Sequence, residues 1–382
     1  MTGSDEASVC FVALGAYPML SGRADIRHIG GAEVQQVHIA RGLVARGHRV
    51  SFVTLDHGQP DGMEINGVRI FKAYDMSTGV RWLRFLHPRW TSLCRAMKRA
   101  DADVYYQRGA SGETGQVCSW CCVKRRKFVF ALAHDSNWRP ELPGLPHGVE
   151  RALYRYALRH ADCVVAQTLT QQQGLARWHN RDSVVIRSCR PLPQSDRGCL
   201  MPDPGTPKIL WVGRFSPEKR LEFCLDLAIR CPEFHFLIAG AANAASDYAA
   251  RLQRRASEIR NVSMLGHIPY QSMPDLYREA LVLLCTSSAE GFPNTFLEAW
   301  SYGRPVVSTL DPDGLIAEHG LGEVAEDLDQ LRSALLRLLQ NGDRWHTCEA
   351  NARRYVASHH SVQEAVRAYE QVLLDLTQKG PR

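Results

Sequence analysis

Short apolar runs alternate along this chain with longer stretches that carry apolar residues at helical spacing. The runs of strand length include ASVCFVALG, HRVSFVTLD, GVRIFKAY, KFVFALAHD, PKILWVGR, FHFLIAG and LVLLCTS. Their polar positions do not alternate cleanly, which is typical of parallel strands that are buried on both faces. Residues 32–46 are one of the helical stretches, and Gly47 provides a stop. This order predicts βαβ units built around parallel sheets.

One segment breaks the alternation and divides the chain. Residues 191–207 are rich in Pro, Gly, Asp and Ser, a composition that favours a linker. The chain of 382 residues is also long for a single core. We therefore predict an α/β protein of two doubly wound, Rossmann-like domains that face a cleft, at residues 1–190 and 208–360. Residues 361–382 are predicted to form a C-terminal helix that returns to the N-terminal domain.

The composition is that of a globular protein of the cytoplasm. No apolar run approaches the roughly 20 residues that span a bilayer, and the N-terminus has no basic region of the kind that opens a secretory signal. The twelve cysteines are scattered. Cys118 and Cys121 form a CxxC pair, but a zinc site would need a second pair or nearby histidines. We expect reduced thiols.

The excess of positive over negative charge lies entirely in the first half of the chain. Residues 1–190 hold 26 Lys and Arg against 16 Asp and Glu, whereas residues 191–382 hold 20 against 24. The first half is therefore the candidate for meeting an anionic surface or substrate. Its basic, aromatic stretch at residues 80–100 is either a buried helix with a basic outer face or a surface that lies on anionic lipid. Residues 124–127, KRRK, would extend that surface; no nucleic-acid motif accompanies these charges.

The stretch EGFPNTFLEAW places two acids around a turn that follows the buried run LVLLCTS. We expect Asn294 to cap a helix that starts at Thr295, so that the first amides of this helix form an anion site. A carboxylate beside that site, at Glu290 or Glu298, can accept hydrogen bonds from two sugar hydroxyls. The spacing suits a ligand with phosphates between two hydroxyl-bearing groups, and a nucleotide sugar has that form.

Further candidates follow other strands. Arg214 ends PKILWVGR and Lys219 follows after FSPE, so that the two cations flank a turn where they can neutralise a diphosphate. Gly30 and Gly31 open the first long helix with GGAE, which lets a ligand approach the backbone closely. This is not GxGxxG, so a nicotinamide dinucleotide is not expected.

Two strand ends of the first half offer polar side chains for a substrate. His134 and Asp135 follow KFVFALA, and Arg108 ends DVYYQR. We expect Arg108 and Asp135 on the acceptor side of a site. Asp311 and Asp313 resemble a metal-binding DxD, but a solvated turn is the preferred interpretation, and no metal is predicted.

These motifs together resemble the retaining glycosyltransferases of family four, which have the GT-B fold. The resemblance rests on Glu290-Gly-Phe-Pro-Asn-Thr-Phe-Leu-Glu298, the family's E-x7-E pattern, and on Val212-Gly213-Arg214 with Lys219. GGAE at residues 30–33 and the segment SYGRPVVST join them. The resemblance to the family is specific over residues 208–309 and weaker in the residues before them. After VVST the sequence LDPDGLIAEHG departs from the family's glycine pair, which leaves the phosphate contacts of that loop open.

The resemblance implies roles for the matching positions. Arg214 and Lys219 would bind the donor diphosphate, and Glu298 would hold the ribose hydroxyls. Glu290 would contact the donor sugar, as would the backbone of the neighbouring positions Gly291, Phe292, Pro293 and Asn294. Gly31, with Gly30 beside it, would meet the distal phosphate, and His134 would stand near the sugar's C6 hydroxyl at the reacting face.

The resemblance also implies the reaction. A sugar passes from a nucleotide donor, with UDP- and GDP-sugars foremost, to an acceptor hydroxyl with retention, without metal or another cofactor. The setting would be polysaccharide or glycolipid biosynthesis, with a glycan or lipid-linked acceptor. The enzyme would be cytoplasmic, with a peripheral place on the inner face of the cell membrane as a further hypothesis. A nucleotide-sugar epimerase of the same fold and an inactive binding subunit of a glycan assembly complex stay open as alternatives.

Overall fold

The computed structural model describes residues 6–22, 30–79, 85–193, 206–242 and 246–378. The chain forms two compact units. The first comprises Met1–Cys189 together with Val362–Arg382, and the second comprises Arg190–Ser361. The first unit is therefore built from two separate parts of the chain.

The first unit contains an eight-stranded sheet. Its strands are β1 (Ser8–Val12), β2 (Arg49–Thr54), β3 (Met63–Ile65), β4 (Val68–Lys72), β5 (Val104–Arg108), β6 (Lys127–Ala131), β7 (Cys163–Ala166) and β8 (Val184–Val185). Their order is β3-β4-β2-β1-β5-β6-β7-β8, and all neighbours are parallel except β3 and β4. The apolar runs thus form a parallel sheet as predicted, whereas the antiparallel β3 was not anticipated.

Helices connect these strands. They are α1 (Tyr17–Ser21), α2 (Gly31–Ala45), α3 (Thr91–Ala100), α4 (Gly112–Lys124), α5 (Gly148–His160) and α6 (Leu169–His179), and the unit ends with α14 (Val362–Gln378). Two apolar layers flank the sheet. One of them includes Phe11 and Phe52 from the strands and Tyr369 and Leu373 from α14. The last helix therefore completes the core of the first unit.

The second unit contains a six-stranded, fully parallel sheet. Its strands are β9 (Lys208–Val212), β10 (His235–Ala239), β11 (Val262–Gly266), β12 (Val282–Cys285), β13 (Val306–Ser308) and β14 (Gly322–Val324), in the order β11-β10-β9-β12-β13-β14. Its helices are α7 (Leu221–Arg230), α8 (Asp247–Ser257), α9 (Met273–Glu279), α10 (Asn294–Ser301), α11 (Leu315–His319), α12 (Leu328–Gln340) and α13 (Gly342–His359).

Both sheets have a point at which the strand order reverses. In the first unit β1 lies between β2 and β5, and in the second β9 lies between β10 and β12. In open α/β sheets the connections diverge at such a point and leave a crevice outside the carboxyl ends of the strands. The candidate residues follow β9 and β12 in the second unit and β1, β5 and β6 in the first. Each set lies at the edge of its sheet where ligands bind.

The basic stretch at residues 80–100 lies partly outside the described residues. Phe85–Trp90 form an irregular π-helical turn in which no residue is fully buried, and Thr91–Ala100 form α3. The apolar residues Leu93, Ala96 and Met97 of α3 are buried, whereas Arg95 and Lys98 are exposed. Helix α3 thus has an apolar inner face and a basic outer face, which agrees with the first of the two interpretations of this stretch.

Candidate functional site

The loops that follow β9 and β12 are tied to each other by hydrogen bonds. The backbone amide of Ser288 donates to the carbonyl of Glu218 over 2.7 Å, and the Thr286 hydroxyl donates to the carbonyl of Lys219 over 2.8 Å. Arg220 donates from Nε to the carbonyl of Thr286 over 2.6 Å. These bonds fix the position of Lys219, the last residue of the short 3-10 helix Pro217–Lys219.

Lys219 and Glu290 form an ion pair at this edge of the sheet. Their side chains are 20% and 13% exposed, so the pair is largely shielded from water. The family resemblance implies a diphosphate as the partner of Lys219 and a sugar as the partner of Glu290. The structure brings both functional groups to one point, where a bound phosphate would compete with Glu290 for the ammonium group.

Arg214 has a different partner from Lys219. Its Nη2 lies 3.3 Å from Oε1 of Glu218, and its side chain is 60% exposed. An exposed pair of this kind contributes little to stability, so the guanidinium is available to a ligand at small cost. Arg214 and Lys219 thus lie in one loop, but they do not share a carboxylate.

Helix α10 begins one residue earlier than the sequence suggested. Asn294 is its first residue, Pro293 is the N-cap and no side chain caps the end, so the prediction that Asn294 caps a helix from Thr295 is wrong. Pro293 has the fixed φ that suits the entry to a helix, which explains the shift. The buried residues Gly291, Phe292 and Pro293 lead into the helix. Its amino end still follows β12 directly, with Glu290 before it.

Glu298 lies in α10 and is almost fully buried. Its Oε2 accepts a hydrogen bond of 2.7 Å from the Tyr277 hydroxyl, and its Oε1 accepts one of 3.2 Å from Nη1 of Arg190. Arg190 Nη1 also donates to the Tyr270 hydroxyl over 2.8 Å. Burial, and then the charge of Glu298, raise the pKa of Tyr277 well above its usual value, so this hydroxyl stays a donor.

No sequence pattern predicted Arg190, Tyr270 or Tyr277 as residues of the site. Arg190 precedes the predicted linker, and the two tyrosines belong to a short helical segment with no motif of its own. A buried carboxylate requires donors, but no sequence pattern says which donors will surround Glu298. Only the packing of α9 and of the chain at Arg190 identifies them.

In the first unit, Gly30 is the N-cap of α2, and Gly31 is its first residue. No side chain caps this end, but the carboxylate of Glu33 lies over it. A Cβ at Gly30 would collide with Oε2 of Glu33, and one at Gly15 would lie 2.9 Å from its Oε1. The absence of side chains at Gly15 and Gly30 therefore leaves room for a carboxylate at the amino end of α2, where the helix dipole favours negative charge.

His134 caps the 3-10 helix Asp135–Asn137 with its side chain. The backbone amide of Ser136 donates to Nδ1 of His134 over 3.0 Å. A backbone N–H can only donate, so Nδ1 bears a lone pair, and the neutral ring carries its proton on Nε2. His134 is therefore held as the tautomer that donates from Nε2.

A hydrogen-bond network joins Asp135 to Arg108 across the carboxyl ends of β5, β6 and β7. Gln171 donates from Nε2 to Asp135 over 3.1 Å and accepts from the amide of Gln167 over 2.9 Å. Gln167 and Ser188 in turn accept from Nη2 of Arg108 over 2.6 and 3.0 Å. Burial raises the pKa of Asp135 against the opposing hydrogen bond from Gln171. The structure thus brings together the two residues predicted for the acceptor side.

The DxD sequence forms a helix entry. Asp311 accepts hydrogen bonds from the amides of Ile316 over 2.7 Å and Ala317 over 3.2 Å, so its carboxylate is occupied at the start of α11. Within the described parts of the chain, no group of three or more His, Cys, Asp or Glu is placed to hold a metal ion.

None of the helices in the described ranges is both long and apolar enough to cross a bilayer.

Two family models match the chain in succession. The family described as "Glycosyl transferase 4-like domain" matches residues 30–188, and the family described as "Glycosyl transferases group 1" matches residues 206–341. The first match falls within the first unit and the second within the second unit. Together they account for most of the chain.

The curated proteins that resemble this chain share only low sequence identity with it. O-antigen chain mannosyltransferase B of Escherichia coli is 28% identical over 36% of this chain and 37% of its own length. A glycosyltransferase of Methanocaldococcus jannaschii is 23% identical over 74% of this chain and 77% of its own. Lipopolysaccharide 1,6-galactosyltransferase of Salmonella typhimurium is 30% identical over 40% of this chain and 45% of its own length. The chain thus matches less than half the length of the Escherichia coli and Salmonella typhimurium relatives.

Solved structures match over the whole chain. Sucrose-phosphate synthase from Thermosynechococcus elongatus has a TM-score of 0.80 at 18% identity, covering 98% of this chain and 100% of that one. The Anabaena protein HepE, solved in complex with UDP-glucose, has a TM-score of 0.75 at 17% identity, covering 97% and 100%. At such low identity these likenesses show the fold.

Proposed function

Because the chain belongs to the group 1 glycosyltransferases and has their GT-B fold, we propose that it transfers a glycosyl group from a nucleotide sugar to an acceptor hydroxyl with retention of the anomeric configuration. The proposed donor is a UDP- or GDP-sugar. Transfer is proposed to need neither a metal ion nor another cofactor, because cationic side chains and a helix end are available to meet the diphosphate.

One observation carries this proposal. At the carboxyl ends of β9 and β12, the second unit assembles the ion pair of Lys219 and Glu290, the amino end of α10 and the buried carboxylate of Glu298. A cation and a helix end suit a diphosphate, and carboxylates suit hydroxyl groups. The combination fits a diphosphate with hydroxyl-bearing groups attached to it.

In the proposed reaction, Lys219 and Arg214 bind the diphosphate, Glu298 the ribose hydroxyls and Glu290 the donor sugar. The bond between the anomeric carbon and the phosphate oxygen breaks, and the nucleoside diphosphate leaves with the bonding electrons. The acceptor oxygen forms a bond to the anomeric carbon on the same face, and its proton passes to the leaving phosphate. Lys219 and the amides of α10 stabilise the charge that develops on that phosphate.

Residues of the first unit supply further roles in this proposal. The backbone at Gly30 and Gly31, at the amino end of α2, meets a phosphate that replaces the Glu33 carboxylate there, and His134 donates a hydrogen bond from Nε2 to the donor sugar. Asp135 and Arg108, joined by their network, line the acceptor side. The Glu33 carboxylate marks the place at the end of α2 where an anion is accommodated.

The acceptor is proposed to be a growing glycan or a lipid-linked sugar. The Escherichia coli and Salmonella relatives are named for O-antigen and lipopolysaccharide chemistry, which supports the proposal that this chain acts in polysaccharide or glycolipid biosynthesis. The excess of basic residues before residue 190 suits an anionic membrane surface, so we propose a peripheral place on the inner face of the cell membrane.

The donor site is tested by thermal unfolding with UDP, GDP and ADP, using Lys219→Ala and the matched control Lys208→Ala. Lys208 pairs with Glu279 at the amino end of β9, the opposite edge of the sheet. One nucleotide family should raise the melting temperature of the wild type and of Lys208→Ala. The shift should be smaller in Lys219→Ala. Equal shifts in both variants, or none in the wild type, would contradict the proposed site.

The reaction itself is tested with the donor so identified. Transfer to an acceptor should persist in EDTA, and NMR of the product should show the anomeric configuration of the donor. Conversion of the donor sugar without any acceptor would instead identify an epimerase. Binding without turnover over a broad set of glycan acceptors would favour an inactive binding subunit.

A further inference from the structure

The two donors that surround Glu298 suggest how the second unit recognises a ribose. We propose that Tyr277 and Arg190 are positioning residues that fix the Glu298 carboxylate for two ribose hydroxyls, and that they set a preference for ribonucleotide donors. This inference rests on the proposed function, in which Glu298 binds the ribose. It goes further by assigning the preference to two residues that lie outside the family motifs.

The geometry gives each carboxylate oxygen of Glu298 its own protein donor. Tyr277 donates to Oε2 over 2.7 Å, and Arg190 donates to Oε1 over 3.2 Å. An ionised carboxylate offers about four acceptor positions on its two oxygens. One position on each oxygen therefore stays available, which matches two neighbouring hydroxyl groups on a five-membered sugar ring.

Tyr277 is held in place independently of the ligand. Its ring is fully buried and lies parallel to the ring of Tyr302, with centroids 5.9 Å apart and planes 2° apart. Nε of Arg304 donates to the Tyr277 carbonyl over 2.8 Å. The hydroxyl cannot move away from Glu298 without breaking this packing.

Arg190 is held in a comparable way. Its backbone amide donates to the carbonyl of His360 over 2.9 Å, and Nη1 donates to the Tyr270 hydroxyl over 2.8 Å. The side chains of Arg190 and Glu298 are each only 11% exposed. A buried charge pair with defined hydrogen bonds has one favoured geometry, so the carboxylate plane of Glu298 is fixed before a ligand binds.

The test compares the affinity of each protein for UDP and GDP with its affinity for the 2′,3′-dideoxy forms of the same nucleotides. The ratio of the two dissociation constants measures recognition of the ribose hydroxyls. Tyr277→Phe removes one oxygen atom and keeps the stacked ring, and Tyr302→Phe is the matched control from the same stack. We expect Tyr277→Phe to reduce the ratio by about tenfold, because one donor to a charged group is lost. Tyr302→Phe should leave the ratio as in the wild type.

Arg190→Lys is a second variant, because a single ammonium group cannot hold both Tyr270 and Glu298 in the geometry of a guanidinium. It should reduce the same ratio. A general loss of packing would weaken both nucleotide forms alike and leave the ratio unchanged, which would overturn the inference while the proposed function stands. A wild type that binds nucleotides without preferring the ribose form would overturn both this inference and the role proposed for Glu298.

Discussion

At the scale of single residues, the hydrogen bond to His134 decides what its side chain can do. Because the amide of Ser136 donates to Nδ1, the neutral ring offers an N–H at Nε2 and has no lone pair there. A general base needs that lone pair. His134 is therefore suited to donate to a sugar oxygen, and the proposed transfer leaves deprotonation to the phosphate.

Two substitutions of His134 separate these roles. His134→Asn keeps an N-cap that accepts from Ser136 but places no donor at the position of Nε2. His134→Gln extends an amide N–H toward that position. We expect kcat/KM to fall by about tenfold to a hundredfold in His134→Asn and by clearly less in His134→Gln. If His134 were a base, both variants would lose activity to the same extent in steady-state kinetics.

Asp135 shows a conflict between stability and function. Burial raises the pKa of Asp135, so folding disfavours its ionised form. The unfolded chain releases this proton at a lower pH than the folded chain, so stability falls as pH rises from the ordinary value of the carboxyl through the raised one. The cost is fully present above the raised pKa.

We therefore expect Asp135→Asn to raise the melting temperature by about 2 °C or more at pH 7, and by less near pH 4. The amide can still accept from Gln171. Transfer activity should fall, because a carboxyl group whose pKa is perturbed by burial at a candidate site is a candidate for function. Thermal unfolding at the two pH values measures the first effect. A melting temperature that falls at pH 7 in Asp135→Asn would contradict the destabilising effect expected of the buried Asp135 carboxylate.

At the scale of helices and strands, the sequence predicted what depends on local pattern. The buried strands β1, β2, β9, β10 and β12 coincide with predominantly apolar runs, because parallel strands need apolar side chains on both faces. The start of α10 was missed by one residue, since Pro293 and Asn294 can both precede a helix. The antiparallel β3 was missed because its three residues, MEI, carry too little pattern.

Some residues of the candidate site were likewise predictable from local sequence motifs, and others were not. Glu290, Glu298 and Lys219 stood out because each follows a strand in a recognisable motif. The donors Tyr277 and Arg190 come from distant parts of the chain and are brought to Glu298 by tertiary packing alone. The pairing of Lys219 with Glu290 was equally invisible, because 71 residues separate them.

Helix α14 yields a prediction about stability. Leu373 is 3% exposed in the core of the first unit, whereas the next residue, Leu374, is only half-buried. Leu373→Ala should cost about 2–5 kcal/mol of unfolding free energy, because it leaves a cavity. Leu374→Ala, the matched control, should cost clearly less. Urea unfolding should show a lower midpoint for Leu373→Ala with an unchanged slope; equal midpoints would contradict this role for α14.

At the scale of the whole molecule, the exposed apolar side chains in the first unit accompany its excess of positive charge. Leu86 is 53% exposed in the turn before the basic helix α3, and Val149 is 64% exposed at the start of α5. Phe85 beside Leu86 packs against the amino end of α4 at Gly112. Apolar side chains next to basic ones are the combination that binds anionic lipid.

Membrane association is tested by flotation with anionic liposomes. Leu86→Asp should weaken binding at low salt, and Ile229→Asp, which changes an equally exposed apolar residue of the second unit, should not. Binding should decline as salt is raised, because screening weakens attraction to the surface. No binding of the wild type at low salt would exclude the proposed peripheral location.

The division of the first unit between two parts of the chain has a consequence for its synthesis. Ribosomes release residues in order, so the whole second unit, Arg190–Ser361, emerges before Val366, Tyr369 and Leu373 can reach the core of the first. Until then the apolar face of α2 and the strands beneath it lack their cover. The second unit can thus finish folding first, although it is made later, and the nascent first unit must be protected from aggregation while it waits.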